Sequence, residues 1–147
     1  PLRLVGSEMC IRDRSVGDDS GLIVPAINNE PGLYSARYAG LNATDSDNRN
    51  KLISKLKDNK LESTYAYFFC CIVAVGIKGQ NEIIVCDGKV EGEVRTIERG
   101  EKGFGYDPMF YPKGYSESFA ELNSLEKNKI SHRGQALKKL MDKLNKT

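Results

Sequence analysis

The sequence predicts a mixed α/β fold in which a mixed central sheet is flanked by helices. An almost wholly apolar run over residues 65–75 is rich in aromatic and β-branched side chains, as expected of a buried strand. Apolar residues recur at helical spacing after Thr44 and after Ser131. With 147 residues, of which 39% are hydrophobic, the chain is long enough to bury the core of a single domain.

The first half of the chain predicts one short strand and one helix. Residues 22–24 form an apolar run that predicts a strand, preceded by a turn at Asp18-Asp19-Ser20-Gly21 and followed by a Pro-, Asn- and Gly-containing loop. A helix is expected to begin near Thr44, because Thr44 and Asp47 have the spacing of a capping box. Its buried stripe is predicted to consist of Leu52, Ile53 and Leu56.

The second half begins with the central strand at residues 65–75, which we expect to be covered on both faces. A turn at 78–81 would lead to a second strand at 82–86, and Asp87-Gly88 and Glu91-Gly92 predict a bulge or turn before a strand at 94–97. A brief strand at 109–111 and a short helix at 120–125 follow. The last helix is predicted to take Ser131 as its N-cap and to run to about residue 144, with a core face of Leu137, Leu140, Met141 and Leu144.

Charge and cysteine usage exclude several classes of protein. The net charge of +2 is too near neutral for a general nucleic-acid or membrane binder. No cysteine pair has zinc-ligand spacing, and adjacent Cys70 and Cys71 predict buried thiols that point to opposite faces of a strand. No apolar run approaches the length of a membrane span. We therefore expect a cytoplasmic protein that binds neither nucleic acid nor membranes.

The first fifteen residues stand apart from the rest. They show neither helical nor strand periodicity, and residues 4–14 resemble the peptide that results when sequencing-adapter DNA is translated. We therefore predict that residues 1–15 are a non-native extension and that residues 16–147 form a partial domain.

Paired carboxylates precede the first predicted strand. Mg²⁺ prefers oxygen ligands and is usually held by one or two carboxylates plus substrate phosphates, so Asp18 and Asp19 are candidates for a magnesium site. A carboxylate here could also position an attacking water. Taken alone, the stretch is equally typical of an ordinary turn built on Asx hydrogen bonds.

Two later stretches carry groups that suit a flat, oxygen-rich ligand. In Gly103-Phe104-Gly105-Tyr106-Asp107-Pro108, an aromatic ring can stack on a base while Asp107 accepts a hydrogen bond. Ser131-His132-Arg133 opens the last helix, where free N–H groups and two donor side chains meet. Each stretch alone also fits a loop or a solvated first helical turn, but together they predict one nucleoside-triphosphate site. No Walker-type loop is present.

Four motifs in order resemble the inosine triphosphate pyrophosphatase-like family, the house-cleaning dITP/XTP pyrophosphatases. They are Asp18-Asp19-Ser20-Gly21-Leu22, the stretch from Pro31 to Tyr38, Gly103 to Pro108, and Ile130 to Ala136. The resemblance runs from about residue 16 to the C-terminus. It implies hydrolysis of ITP, dITP and XTP to the monophosphate and pyrophosphate with Mg²⁺, in a homodimer when the protein is intact.

The resemblance also implies roles for individual residues. Asp19 corresponds to the proton acceptor and metal-binding aspartate, and Ser20 to a substrate contact. The nucleotide-binding stretch corresponds to Phe104, Gly105, Tyr106 and Asp107, a substrate lysine to Lys127, and the base-recognition pair to His132 and Arg133.

The chain departs from the family pattern at its beginning. Family members start with a strand and a Ser/Thr-x-Asn-x-x-Lys loop for the triphosphate, followed by helices that carry another acidic metal ligand. We therefore expect a fold that lacks this N-terminal strand and these helices. The alternative function is an inactive nucleotide-binding remnant; a Maf-like pyrophosphatase or a purely structural module fits the four motifs less well.

Overall fold

A single antiparallel sheet organises the chain. The computed structural model describes residues 9–11, 14–77 and 82–146. Six strands occur there in the sheet order β1-β2-β4-β5-β6, with β3 paired to β2, and all these pairings are antiparallel. The predicted mixed α/β class is confirmed, but among the described residues the sheet is antiparallel rather than the mixed sheet that the sequence predicts. The elements are β1 Met9–Ile11, β2 Arg14–Val24, β3 Glu30–Pro31, α1 Asp45–Asp58, β4 Ser63–Val75, β5 Ile83–Arg95, β6 Phe110–Pro112, α2 Ser124–Ile130 and α3 His132–Asn145.

Strand β2 is much longer than predicted. The expected turn at Asp18-Asp19-Ser20-Gly21 is wrong, because these residues pair in register with Ile72, Cys71, Cys70 and Phe69 of β4. Pairing with a strongly apolar central strand overrides the local turn preference of Asp and Gly. The alternation of side chains along β2 then places Asp18 and Ser20 on one face of the sheet and Asp19 on the other.

Strand β4 lies between β2 and β5, as its apolar sequence predicts. Cys70, Cys71 and Ile72 are all buried, so both faces are covered at the middle of the strand. The prediction of two covered faces is wrong at the beginning of the strand, where Tyr65 is 47% exposed. The predicted burial of Cys70 and Cys71 as free thiols is confirmed.

Strand β5 is continuous from Ile83 to Arg95, so the expected bulge or turn is wrong. Its glycines serve close packing instead: a Cβ at Gly88 would overlap the backbone of α3, and a Cβ at Gly92 would overlap the backbone of β6. The predicted turn at 78–81 lies outside the described residues. The brief strand expected at 109–111 is present as β6, which runs one residue further.

Helix α1 begins where the sequence predicts. Thr44 accepts a hydrogen bond from the Asp47 N–H, and the Asp47 side chain accepts one from the Thr44 N–H, which completes the capping box. Leu52 and Leu56 are fully buried, and Ile53 packs against the same cluster.

The two C-terminal helices differ from the prediction in detail. The short helix expected at 120–125 is wrong in position, because Asn123 is the N-cap of α2 and starts that helix at Ser124. Ser131 caps α3 as predicted. On the core face of α3, Leu140 is buried and Leu144 partly buried, whereas the expected core residues Leu137 and Met141 are about half exposed.

The reason for the shifted α3 face is the short distance between helix and sheet. Ala136 is fully buried where α3 crosses Gly88, and a larger residue at either position would force the two apart. One apolar cluster lies beneath α3, and a second joins β2, β4 and β5 to α1. Both clusters use the face of the sheet that carries Ser20, Phe68 and Cys70, so a cavity can form between them.

Candidate functional site

A cavity of about 690 Å³ lies between the α1 side and the α3 side of this face. Its volume is within the range of small-molecule sites. All nine residues to which the family resemblance gives a role line it. These residues are Asp19, Ser20, Phe104, Gly105, Tyr106, Asp107, Lys127, His132 and Arg133.

His132 is held at the start of α3 by the Ser131 cap. Its ring stacks on Phe68, with ring centres 4.8 Å apart and planes 11° apart. Burial, together with the positive charges of Arg133 and Lys127, lowers the pKa of His132 to about 3, so the imidazole is neutral near pH 7. Its Nδ1 atom is buried and has no hydrogen-bond partner among the described residues, which leaves it available to a ligand.

Arg133 reaches from α3 to β2. Its guanidinium donates to the Ser20 hydroxyl at 3.3 Å, and its Nε lies 3.2 Å from a carboxylate oxygen of Asp18. Two residues of one strand face therefore aim this side chain along the cavity wall. The Arg133 side chain remains 43% exposed, so the fork can still meet a ligand.

Phe104 provides the aromatic wall that the sequence predicts. Its side chain is 63% exposed, and the Lys127 ammonium lies 4.8 Å from its ring centre. Tyr106 behaves differently, because it is buried and its hydroxyl donates to the Ser35 carbonyl at 2.7 Å. Burial raises the pKa of Tyr106. Of the two rings in this motif, Phe104 is the one free to stack on a ligand.

Asp107 and Lys127 form a buried ion pair at the base of the Phe104 loop. The Lys127 ammonium lies 2.5 Å from the Asp107 carboxylate, which also accepts from the Phe104 N–H at 3.0 Å. The side chains are 6% and 17% exposed, so both charges are largely withdrawn from water. Asp107 therefore fixes the loop that carries Phe104, in addition to lining the cavity.

Asp19 lies where two cavities meet. It lines the edge of the large cavity, yet its position in β2 directs its carboxylate to the opposite face from Ser20. There a second cavity of about 320 Å³ is lined by Asp19 together with Ile23, Tyr67 and Phe69. Burial, reinforced by the charge of Asp18, raises the pKa of Asp19.

The sequence and the fold of this chain match known proteins. A family model described as "Ham1 family" matches residues 6–143. The chain belongs to the Ham1 family. It is 48% identical over 132 residues to a dITP/XTP pyrophosphatase of Idiomarina loihiensis and 50% identical over 129 residues to one of Clostridium perfringens. The resemblance predicted from the four motifs is thereby confirmed.

Solved structures of the Ham1 family share its fold. A HAM1 protein from Coxiella burnetii is 40% identical with a TM-score of 0.83, and covers 91% of this chain. The Staphylococcus aureus Ham1 protein is 43% identical with a TM-score of 0.79, and covers 88%. This chain spans 68% and 65% of those two structures. The alignment with the Idiomarina relative includes 90% of this chain and 65% of that relative. The alignment with the Clostridium relative includes 88% of this chain and 62% of that relative.

Sequence reasoning missed several residues at this cavity. Phe68 supports His132, but nothing in an apolar strand marks one aromatic residue as facing a ligand cavity. Asp18 was considered only as a possible metal ligand, although it pairs with Arg133. Asp45 of α1 also lines the cavity, and its local signal was only that of a helix first turn.

The described residues contain neither a cluster of metal-ligating side chains nor a membrane-spanning helix. No group of three or more His, Cys, Asp or Glu side chains there could hold a metal ion. In the same part of the chain, none of the helices is both long enough and apolar enough to cross a membrane.

Proposed function

We propose that the intact protein hydrolyses the non-canonical purine nucleoside triphosphates ITP, dITP and XTP to the nucleoside monophosphate and pyrophosphate. The observation that carries the proposal is the convergence of all nine predicted site residues on one cavity. The names of the Idiomarina and Clostridium relatives, dITP/XTP pyrophosphatase, support the same reaction.

Base selection would come from donors beside the Phe104 wall. Hypoxanthine and xanthine carry an oxygen at C6, where adenine carries an amine. The Arg133 guanidinium can donate to that oxygen, and a neutral His132 can donate from one ring nitrogen. Adenine, with an amine at C6, would leave both donors without an acceptor at that position, which disfavours its binding.

The phosphate chain would extend from the large cavity toward Asp19. There the Asp19 carboxylate would orient a water molecule for attack at the α-phosphorus. One proton of that water passes to the Asp19 carboxylate as the water oxygen bonds to the phosphorus. The bond from that phosphorus to the bridging oxygen breaks, and pyrophosphate leaves with the bridging oxygen.

Mg²⁺ is the cofactor that we propose for this step. Asp19 is 4% exposed and forms no ion pair among the described residues, so a cation would offset the cost of its buried charge. One carboxylate is enough when substrate phosphates and water complete the coordination, as is usual for Mg²⁺. When bound, the ion would neutralise phosphate charge as it develops in the transition state.

The proposed setting is that of a house-cleaning enzyme. A cytoplasmic location, homodimer formation by the intact protein and the absence of nucleic-acid or membrane partners remain predictions. They follow from the near-neutral charge, the buried free thiols and the resemblance described above.

The first test is pyrophosphate release from ITP and ATP in the presence of Mg²⁺. We expect ITP to be cleaved at least about tenfold faster than ATP, and Asp19→Asn to lower the rate by about 100-fold or more, within the usual contribution of a general base. Asp87→Asn is a matched control, since Asp87 shares the Asp19 face but is 67% exposed and paired with Lys139. Equal rates with ITP and ATP, or an active Asp19→Asn variant, would contradict the proposal.

Binding measurements separate base recognition from hydrolysis. Calorimetry with IMP and AMP is expected to show tighter binding of IMP, and His132→Ala with Arg133→Ala should remove the difference. Selective binding of IMP by a chain that does not release pyrophosphate from ITP would favour the inactive remnant.

A further inference from the structure

Both polar backbone atoms of Gly105 are held by side chains of α1. The Gly105 N–H donates to the Asp45 carboxylate at 3.0 Å, and the Gly105 carbonyl accepts from the Arg49 guanidinium at 2.8 Å. These contacts join residues that are 60 and 56 positions apart in the chain. Glu98, at the beginning of the same loop, forms an ion pair with Arg49 and orients its guanidinium.

The loop that carries Phe104 is also anchored by hydrogen bonds to residues outside α1. The Arg99 N–H donates to the Pro108 carbonyl at 2.9 Å, and the Lys102 N–H donates to the Ala120 carbonyl at 3.1 Å. The Asp107 carboxylate accepts from the Phe104 N–H. The α1 contacts at Gly105 hold the other side of Phe104, so that the residue is fixed from two separate parts of the fold.

Gly105 needs such support because of its backbone conformation. Its φ of +62° is one that residues with a side chain rarely adopt, and glycine reaches it with little intrinsic preference for any one region. Nothing lies within 4 Å of the position that a Cβ would take, so no other part of the fold packs against that side of the residue. The hydrogen bonds of Asp45 and Arg49 are therefore the contacts that hold this glycine, the neighbour of Phe104, from the α1 side.

We propose that Arg49 and Asp45 act as positioning residues that hold the Phe104 ring at the mouth of the cavity from the α1 side. They do so through the peptide groups of Gly105, and neither residue needs to touch the base. We call the hydrogen bonds from Asp45 and Arg49 to Gly105 the clasp. Loss of the clasp frees the Phe104 ring to move, so binding of a flat base weakens while the chemical step is little affected. What the ring binds rests on the proposed function; the clasp itself does not.

A fluorescent reporter tests the clasp without any enzyme assay. The chain has no tryptophan, so Phe104→Trp introduces a single probe at the loop. In this background we expect Arg49→Met to raise acrylamide quenching by about twofold and to lower the anisotropy, as for a loop that loses anchoring hydrogen bonds. Lys57→Met removes an exposed cation from the same helix and is expected to leave both readings unchanged.

Kinetics with Phe104 retained test the effect of the clasp on substrate binding. Arg49→Met is expected to raise KM for ITP by about threefold to tenfold with a smaller change in kcat, as expected for loss of a charge-assisted hydrogen bond. Asp45→Ala should act in the same direction. The midpoint of urea unfolding should change little for Arg49→Met, because partly exposed ion pairs contribute little to stability.

Fluorescence quenching and ITP kinetics test separate parts of the proposal, so a negative result in each has a different meaning. Unchanged quenching in folded Arg49→Met overturns the clasp, and altered quenching with an unchanged KM overturns its role in positioning. If no variant releases pyrophosphate from ITP, the proposed function fails, while the fluorescence result still decides whether the clasp exists.

Discussion

Gly88 lies directly beneath the backbone carbonyl of His132, so close that a Cβ at position 88 would overlap that oxygen. The same added atom would also crowd the Ala136 backbone nitrogen one turn further along α3. The position of His132 at the cavity thus depends on the absence of a side chain on the neighbouring strand.

Gly88→Ala should therefore both destabilise the fold and displace the start of α3. We expect the free energy of unfolding to fall by about 1–3 kcal/mol, the usual cost of overpacking a tight contact. Activity toward ITP should fall further than stability alone explains. Urea unfolding and pyrophosphate release measure the two effects. Val85→Ala, on the exposed face of the same strand, is the control; equal effects of the two substitutions would contradict the interpretation.

Acid should weaken the fold through His132. Burial lowers its pKa from the ordinary 6.5 to about 3, so the unfolded chain takes up a proton that the folded chain does not. The stabilising contribution of the neutral ring is complete above about pH 6.5 and is lost as the pH falls toward 3, by up to about 1.4 kcal/mol per pH unit.

The His132→Asn variant isolates this contribution. Carboxylates such as Asp19 titrate in both proteins and cancel in the difference, whereas asparagine has no proton to gain. Urea unfolding at pH 7, 6 and 5 should show the stability advantage of the parent protein over His132→Asn shrinking with acid. If the free energies of unfolding of the two proteins changed in parallel with pH, the contribution assigned to His132 would be disproved.

Lys127→Met should be among the more destabilising single substitutions on the cavity wall. It leaves the Asp107 carboxylate, whose side chain is 6% exposed, without its cation. Breaking such a pair from one side costs about 3–5 kcal/mol, because a buried charge is left uncompensated. Lys129→Met, two residues away and exposed, should change the free energy of unfolding by less than about 0.5 kcal/mol. Similar denaturation midpoints for both variants would show that Lys127 does not compensate the buried Asp107 charge.

Asp18→Asn should affect the site more than the fold. Arg133 loses a partly exposed ion pair at 3.2 Å but keeps its contact with Ser20. We expect kcat/KM for ITP to fall by about threefold to tenfold, while the free energy of unfolding changes by less than about 1 kcal/mol. Steady-state kinetics beside urea unfolding would check both figures, with the exposed Asp142→Asn as control. A variant with unchanged kcat/KM would show that Asp18 does not position Arg133.

Local signals in the sequence predicted the starts of α1 and α3 best. Thr44 and Ser131 cap their helices through bonds that span only three residues, so the pattern is visible in the sequence alone. The site motifs likewise occupy short stretches, and all of their assigned residues reach one cavity.

The features that sequence reasoning missed depend on contacts between distant parts of the chain. Strand β2 continues through Asp-Asp-Ser-Gly because β4 pairs with it, and Gly88 belongs to an unbroken strand because α3 crosses there. Arg49 reads as an ordinary solvated helix charge until the position of Gly105 is known. Pairing partners and packing distances of this kind leave no periodic mark in the sequence.

The neighbouring carboxylates of β2 make this strand intolerant of changes in length. Asp18 serves the face with Arg133 and Cys70, whereas Asp19 opens on the face with Cys71. A single-residue insertion or deletion within β2 would shift the register by one and exchange the two carboxylates between the faces. Evolution can therefore lengthen or shorten the loops around this cavity far more readily than it can alter the spacing along β2.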